Sequence, residues 1–325
     1  MINAAQLAPR IADALRTIDV EPGGLKATTP TETIESDNAA ALAKRLSSEL
    51  YQILHVGRTE AISSRPRTYR DRDLDRLFAV AMPHRHTQAP VVIHEHRPEQ
   101  EEAIAELGGL RLRVQPSALT PLPNSLPGRS LLTLPAARPG LSPGFFLADG
   151  SLGMDRTGDA LRLYVHLTNP EAAPSVWGRT LSLLEDARLP YRAKISSSPH
   201  LYPRRDALVV YLGPRSWQAI PLLAAELKDL EGVGPSTSPF TTEVAPGVAV
   251  AWEPNDPRAG RRGQSFGEHR TAILAEALVL HATLQPEERP TPEDTVAGAF
   301  LDASIDPLEP SRNLDSPPLS AFSMA

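Results

Sequence analysis

One histidine, one lysine and several arginines lie in three segments of this sequence. His166 lies in RLYVHL, Lys194 and the pair Arg204 and Arg205 lie in PYRAKISSSPHLYPRRDALVVYL, and Arg270 lies in RRGQSFGEHRTAILAEA. Lysine and histidine side chains transfer protons when their protonation state suits the step, and guanidinium groups bind phosphate through paired hydrogen bonds. The three segments are therefore candidates for a site that combines proton transfer with anion binding.

The elements that carry these side chains are predicted from hydrophobic periodicity. Residues 161–167 alternate as a strand, residues 173–187 have the pattern of a helix, and residues 189–195 return as a strand. Lys194 follows His166 after 28 residues, about the length of one strand–helix–strand crossover. Neighbouring strands would then bring the two side chains next to each other.

The rest of the chain predicts an α+β fold, with a twisted, mixed or mostly antiparallel sheet flanked by helices and a helical part at the N-terminal end. Leu42, Leu46, Leu50 and Leu54 form one stripe of a helix over residues 38–56. The other predicted helices cover residues 70–82, 98–107, 214–230, 265–284 and 292–304, and the other predicted strands cover residues 91–96, 207–212 and 248–253 with short runs within 109–150.

The predicted organisation is one catalytic domain with a segment at each end. Residues 1–37 are expected to be flexible, and residues 38–306 to form the domain, helical over about 38–106 and sheet-based over about 107–306. Residues 307–325 read as a disordered tail rich in Pro and Ser.

Composition excludes several classes of protein. The chain has no cysteine, so it has no disulfide, no thiolate metal site and no thiol nucleophile. Its formal net charge of −6 argues against general nucleic-acid binding. No run approaches the about 20 apolar residues of a membrane helix, and no cleavable signal is evident. We expect a cytoplasmic protein without a membrane or nucleic-acid partner.

The chain resembles the Hop-A family of type III effector-like proteins from about residue 38 to residue 285. The matching phrases are LYQILHVGR, GLRLRV, SPGFFLADG, LRLYVHL, LPYRAKI with PRRDALVVYL, and SFGEHR followed by LAEA. Members of this family in peptide-biosynthesis clusters look like lyases that work with a separate Ser/Thr kinase in class V lanthipeptide and thioamitide pathways. The family is also similar to phosphothreonine lyases of the OspF and SpvC type.

The resemblance implies elimination of phosphate from a phosphorylated precursor peptide, which leaves dehydroalanine or dehydrobutyrine, without a metal or other cofactor. Lys194 would be the base and His166 the acid. Lysine usually stands two residues before that histidine in the effector lyases, and Tyr164 stands there in this chain. Tyr164 is therefore an alternative acid or a hydrogen-bond donor to phosphate.

The predicted phosphate-binding residues come from two places in the chain. Arg204, Arg205 and Arg270 supply guanidinium groups, and Ser265 at a helix start offers free backbone N–H groups. Arg262 lies in a basic loop that would attract the phosphopeptide.

Each assignment has a structural alternative. Lys194 can be a solvated lysine at a strand edge, His166 a packed core histidine, and Arg204 and Arg205 a solvated turn. The whole chain can also be a non-catalytic module that binds a phosphopeptide or leader peptide and assists a kinase, which needs the arginines but not Lys194.

Two His-x-His pairs raise the further alternative of a metal hydrolase. They are His84 with His86 and His94 with His96. Neither pair has a motif for a third ligand, so no metal site is predicted.

Overall fold

The computed structural model describes residues 7–60, 70–122, 128–286 and 289–319. Within these residues it has seven α-helices and three antiparallel sheets, which confirms the predicted α+β class. The helices are α1 (Pro9–Leu15), α2 (Ala39–Leu50), α3 (Arg72–Ala81), α4 (Ala173–Asp186), α5 (Ile220–Leu227), α6 (Phe266–Thr283) and α7 (Pro292–Asp302).

The strands belong to a three-stranded, a five-stranded and a seven-stranded sheet. They are β1 (Asp19–Val20), β2 (Lys26–Thr28), β3 (Thr33–Glu35), β4 (His86–Arg97), β5 (Glu102–Leu107), β6 (Leu110–Val114), β7 (Leu119–Pro121), β8 (Arg129–Pro135), β9 (Ala137–Ser142), β10 (Phe145–Asp149), β11 (Leu161–Leu167), β12 (Tyr191–Ser196), β13 (Arg204–Leu212), β14 (Thr242–Ala245) and β15 (Val248–Trp252).

The seven-stranded sheet is the centre of the molecule, in the order β14-β15-β11-β13-β12-β10-β9. Along β11, Leu163 and Val165 belong to a core that includes Trp177 of α4, whereas Tyr164 belongs to a core that includes Leu46 of α2 and Leu274 of α6. Because successive strand residues point to opposite faces, one strand contributes to both cores. The sheet is thus the middle layer between two groups of helices.

Helix α2 continues into a π-helical segment, Tyr51–Val56, so the predicted helix over residues 38–56 is confirmed. This segment ends at Gly57, which has a φ of +90°. A Cβ atom at Gly57 would lie 2.7 Å from Nε of Arg205. Both the left-handed backbone and the close approach of Arg205 therefore favour glycine at this position.

The predicted helix over residues 98–107 is wrong. The chain makes a short 3₁₀ turn, Pro98–Gln100, and then forms β5 between β4 and β6. Ala103 and Ala105 are fully buried, whereas the residues next to them in β5 are only partly buried. Strand pairing on both sides thus outweighs the helix propensity of the alanines and glutamates.

Both ends of the described chain are folded, in contrast to the predicted flexible segment and disordered tail. Ile11 of α1 and Ile34 of β3 are buried in the core with α2 and α6. At the other end, the backbone N–H of Trp252 donates to the carbonyl of Ser311, and Leu319 is buried. Residues 1–6 and 320–325 lie outside the described residues.

None of the described helices is both long enough and apolar enough to span a bilayer.

Candidate functional site

A cavity of about 1330 Å³ lies between the seven-stranded sheet, the π-helical segment and the loop before α6. It is large enough for a segment of peptide. Five of the residues singled out from the sequence line it: Tyr164, Lys194, Arg204, Arg262 and Ser265. His166, Arg205 and Arg270 do not line it.

The register of the sheet places Tyr164 and Lys194 in one row. Tyr164 of β11 pairs with Val209 of β13, and Val209 pairs with Lys194 of β12. Residues directly opposite each other in antiparallel strands point to the same face. Since neighbouring strands are about 4.8 Å apart, the Tyr164 and Lys194 backbones are about 10 Å apart with Val209 between them.

This strand order corrects the expectation that neighbouring strands carry His166 and Lys194. Strands β11 and β12 are the two strands of the predicted strand–helix–strand unit, but β13 lies between them. The partner of Lys194 across β13 is Tyr164 and not His166.

Lys194 is partly buried and has aromatic neighbours. Its Nζ lies 4.4 Å from the ring centroid of Phe145 and 5.8 Å from that of Tyr211. Within the described parts of the chain, no carboxylate or hydrogen-bond acceptor contacts this amine. Contact with aromatic faces leaves the hydrogen-bonding positions of the amine unoccupied. The amine is therefore available to a molecule bound in the cavity.

Arg204 forms a buried ion pair at one end of the cavity. Its Nε donates to Oδ1 of Asp206 at 2.6 Å and one terminal nitrogen donates to Oδ2 at 2.8 Å. Tyr51 donates its hydroxyl to Oδ2 of Asp206 at 3.2 Å. Burial alone raises the pKa of Asp206, but the Arg204 guanidinium outweighs that effect and holds this pKa well below its ordinary value.

The side chains of Arg204 and Asp206 reach the cavity where the pairing of β11 with β13 becomes irregular. The register between the two strands shifts between Val165 and Leu167, which leaves extra residues on β13. Such bulges turn side chains away from the regular alternation and are common next to functional sites.

A second ion pair lies beside Tyr164. Arg162 makes two hydrogen bonds of 2.5 Å to the carboxylate of Glu253, and its other terminal nitrogen donates to the Tyr164 hydroxyl at 3.4 Å. Burial raises the pKa of Tyr164 above its ordinary value, so its hydroxyl stays protonated. Because Arg162 can only donate, the proton of Tyr164 remains free for an acceptor in the cavity.

His55 is a buried cavity residue that the sequence did not single out. Its Nε2 lies 3.7 Å from Oδ2 of Asp206, and its ring meets the Tyr164 ring edge-on at 5.4 Å between centroids. A Cβ atom at Gly267 would lie only 2.3 Å from the His55 ring. Glycine at the start of α6 thus allows the helix to approach this histidine closely.

Three cavity residues that were not predicted, Tyr51, His55 and Asp206, do have a signal in the sequence. Tyr51 and His55 are four residues apart in LYQILHVGR, a spacing that places two helical side chains on one face. Asp206 stands two residues after Arg204, on the same face of a strand. Each signal is also typical of an ordinary amphipathic helix or strand, and Arg162 has no distinguishing pattern.

His166 and Arg205 lie together outside the cavity. Nδ1 of His166 accepts a hydrogen bond from the backbone N–H of Ser236 at 3.3 Å. Arg205 donates to the Ser236 hydroxyl at 3.2 Å and to the carbonyl of Leu54 at 3.2 Å. Burial, followed by the charge of Arg205, lowers the pKa of His166.

Arg270 is fully buried and fixes the C-terminal segment instead of facing the cavity. It donates to the carbonyl of Pro310 at 2.8 Å, to Oδ1 of Asn313 at 3.0 Å and to Nδ1 of His269 at 2.8 Å. Since Nδ1 of His269 accepts, neutral His269 donates from Nε2 to Asp256 at 2.9 Å. The position of Arg270 leaves it no access to a phosphate in the cavity.

Ser265 and Arg262 lie at the rim. Ser265 caps α6, accepting from the backbone N–H of Glu268, while the Glu268 side chain accepts from the N–H of Ser265. This capping box already uses two of the backbone N–H groups at the helix start, those of Ser265 and Glu268, which the prediction made available to an anion. Arg262 is exposed and, among the described residues, has no carboxylate partner.

The two histidine pairs do not form a metal site in the described residues. His94 bonds Glu106 at 2.8 Å, and His84 bonds the carbonyl of Asp149 at 2.8 Å. No group of three or more His, Cys, Asp or Glu residues suited to a metal ion occurs in the described ranges.

The buried histidines predict that acid destabilises the fold. Burial lowers the pKa of His55 and that of His269 to about 4, from an ordinary value of 6.5. Between these pH values the unfolded chain binds more protons, so the free energy of unfolding falls as the pH falls from 6.5 towards 4. Each histidine contributes up to about 1.4 kcal/mol per pH unit to the slope of the free energy of unfolding against pH.

Urea unfolding at several pH values measures this slope. His55→Gln is expected to give a shallower pH dependence than the wild-type protein, whatever its stability at pH 7. An identical slope in the variant would refute the contribution of His55.

The chain belongs to the HopA1 effector protein family, whose model matches residues 136–312, more than half of its length. The matched region includes Tyr164, Lys194 and Arg204 but not the π-helical segment. No curated protein matches this chain.

Two solved structures of Pseudomonas syringae effector proteins are similar to this one. The effector from pathovar tomato strain DC3000 is 13% identical, with a TM-score of 0.45 over 83% of this chain and 94% of that chain. The effector from pathovar syringae strain 61 is 14% identical, with a TM-score of 0.45 over 85% of this chain and 92% of that chain.

Proposed function

We propose that this chain is a lyase that eliminates phosphate from phosphoserine or phosphothreonine in a peptide. The observation that carries the proposal is the row Tyr164–Val209–Lys194. Within the described residues, the Lys194 amine has no ion-pair partner and the Tyr164 hydroxyl has no acceptor for its proton. Most other charges nearby are paired, as in Arg204–Asp206 and Arg162–Glu253. The cavity has room for a peptide above this row.

In the proposed reaction, neutral Lys194 removes the Cα proton of the phosphorylated residue. The electron pair of the C–H bond forms the Cα=Cβ double bond, and the bond from Cβ to the bridging oxygen breaks. The bridging oxygen leaves with the phosphate and takes a proton. The products are inorganic phosphate and a dehydroalanine or dehydrobutyrine residue.

Arg204 is the phosphate-binding residue of this proposal. Its Nε and one terminal nitrogen hold Asp206, and the other terminal nitrogen, which bonds none of the described residues, is left for a ligand. A guanidinium fixed in this way binds a phosphate oxygen without further loss of side-chain freedom. Arg262 at the rim adds positive charge where the phosphopeptide enters.

Tyr164 is the proposed proton donor, in preference to His166. Its hydroxyl faces the cavity, whereas His166 bonds Ser236 outside it. With Lys194 and Tyr164 about 10 Å apart at the backbone, a substrate residue fits between them above Val209. An acid matters because the bridging oxygen is a strong base until it is protonated.

The two candidate acids are separated by substitution. Tyr164→Phe is expected to lower kcat about 100-fold or more because the ring is kept and only the proton is lost. His166→Gln, the matched control, is expected to change kcat less than threefold. If His166→Gln proves as slow as Tyr164→Phe, the acid is not Tyr164 alone.

The substrate is proposed to be a precursor peptide that a separate kinase phosphorylates, in lanthipeptide or thioamitide biosynthesis. This part rests on the sequence resemblance to lyase partners of such kinases. The test is to incubate phosphoserine and phosphothreonine peptides with the chain, with and without a Ser/Thr kinase of such a pathway, and then to add a thiol.

A thiol adduct on the peptide identifies the dehydrated residue and supports the lyase. Phosphopeptide binding without any adduct in either arm would instead favour a non-catalytic module that presents the peptide to the kinase.

A further inference from the structure

A second cavity of about 440 Å³ continues from the first one past Lys194. Lys194, Ser142, Tyr211 and Glu253 line both cavities. The residues that line only the second cavity are Leu147, Met154, Asp155, Arg156, Gly158, Ala160 and Arg192. We call this second cavity the 154–160 groove, after the loop that forms its outer wall.

The sheet register shows where the groove lies relative to the proposed phosphate site. Two residues beyond Val209 along β13, Tyr211 pairs with Arg162 on one side and with Arg192 on the other. Arg204 and Asp206 lie on the opposite side of Val209 along the same strand. Lys194 therefore lies between the Arg204 end of the main cavity and the 154–160 groove.

The groove combines an apolar floor with excess positive charge. Leu147, Met154 and Ala160 supply the apolar surface. Arg192 shares the carboxylate of Asp149 with Arg138, at 2.6 Å and 2.9 Å, so two guanidinium groups compensate one carboxylate.

Asp155, one of the two carboxylates that line the groove, is already satisfied within the protein. It accepts from the hydroxyl of Thr157 at 2.7 Å and from the backbone N–H of Arg215 at 3.2 Å. Arg156 is exposed and, as far as the structure describes the chain, no carboxylate contacts its guanidinium group. Glu253, the other carboxylate of the lining, is paired with Arg162. Among the described residues that line the groove, Arg156 is therefore a cation without a carboxylate partner, and both carboxylates already have partners within the protein.

We propose that the 154–160 groove binds the peptide residues that flank the phosphorylated residue and favours an acidic side chain there, paired with Arg156. The inference rests on the proposed lyase function and specifies its substrate: a phosphopeptide with Asp or Glu next to the phosphorylated residue. The groove is open to a peptide chain that crosses Lys194, because the two cavities share that residue. A volume of about 440 Å³ holds one or two residues and not a folded partner.

The test uses three phosphoserine peptides of one sequence, with Gln at both flanking positions, with Glu before the phosphoserine, or with Glu after it. Dissociation constants are measured by fluorescence anisotropy on the full chain and on Arg156→Gln. One of the Glu peptides is expected to bind the wild-type chain about fivefold more tightly than the Gln peptide, the upper range for an exposed ion pair. Arg156→Gln is expected to remove that preference and leave the affinity for the Gln peptide unchanged.

The matched control is Arg111→Gln, which removes the same charge from an exposed position on β6 in the five-stranded sheet. Arg111→Gln is expected to keep the preference for the Glu peptide. If the preference came only from the overall positive charge of the protein, Arg111→Gln would weaken it as much as Arg156→Gln does. The proposal is overturned if the wild-type chain binds the three peptides equally, or if Arg156→Gln keeps the preference. The experiment measures binding and not turnover. A chain that shows the preference but never eliminates phosphate would therefore refute the lyase function and still support peptide binding in the groove.

Discussion

Replacing Lys194 by Met is expected to abolish elimination while the phosphopeptide still binds. Methionine has a similar length and keeps the apolar contacts with Phe145 and Tyr211, but it has no amine to accept the Cα proton. A positioned general base contributes about 10²–10⁴-fold to the rate, and no other lysine lines the described cavity. Single-turnover kinetics with saturating enzyme measures this loss separately from binding.

Lys228→Met is the control for the loss of a lysine. Lys228 follows α5 and pairs with Asp229 at 3.7 Å, outside the cavity. This variant is expected to react at the wild-type rate. A Lys194→Met protein that eliminates phosphate as fast as the Lys228→Met protein would disprove the role of Lys194 as the base.

Arg204→Lys is expected to weaken phosphopeptide binding by about tenfold or more, because an ammonium cannot reproduce the planar fork that holds Asp206 and presents a further nitrogen to phosphate. The fork of Arg204 makes two bonds to Asp206 and leaves a third nitrogen for the ligand. Isothermal titration with a phosphoserine peptide measures the affinity. A thermal melt of the same sample verifies that the variant is folded.

The neighbouring arginine provides a closely matched control. Arg205→Lys changes the adjacent residue of β13, whose side chain bonds Ser236 and the carbonyl of Leu54 outside the cavity. Its affinity for the peptide is expected to equal that of the wild-type protein. Equal losses in the two variants would mean that this segment contributes only general positive charge and not a phosphate site.

The strands of the large sheet were predictable, but their order was not. The runs LRLYVHL and ALVVYL gave β11 and most of β13 because nearly all of their buried positions are apolar, with Arg162 as the exception. Strand β13 lies between β11 and β12 because of pairing between distant segments of the chain. The hydrophobic pattern of a single strand does not encode this pairing. The prediction that His166 lies beside Lys194 was wrong for this reason.

Local composition misled the prediction in the region of the five-stranded sheet. The segment PEQEEAIAEL has the charges of a helix start, yet Ala103 and Ala105 pack in a sheet. Small residues that alternate with larger ones fit either structure, and the neighbouring strands decide between them.

The candidate site was predictable as far as it depends on residue type. Lys194 stands out because a charged residue is uncommon in an apolar strand, and Arg204 because a guanidinium group can bind phosphate; both line the cavity. Arg205 has the same residue type as Arg204 but points elsewhere, and Arg270 is used to hold the C-terminal segment. Tertiary contacts distinguish these arginines: Arg204 bonds Asp206, Arg205 bonds Ser236 and Leu54, and Arg270 bonds Pro310 and Asn313.

The most direct test of the central claim is the intact mass of a phosphoserine peptide after incubation with the purified chain in buffer containing EDTA, with the kinase present in a second sample. A lyase that needs no metal removes the mass of phosphoric acid, so the product is lighter by one water than the product of hydrolysis. The account predicts this dehydrated mass with the wild-type chain and unreacted phosphopeptide with Lys194→Met. A product that regains its hydroxyl group, or dehydration that persists in Lys194→Met, would contradict it.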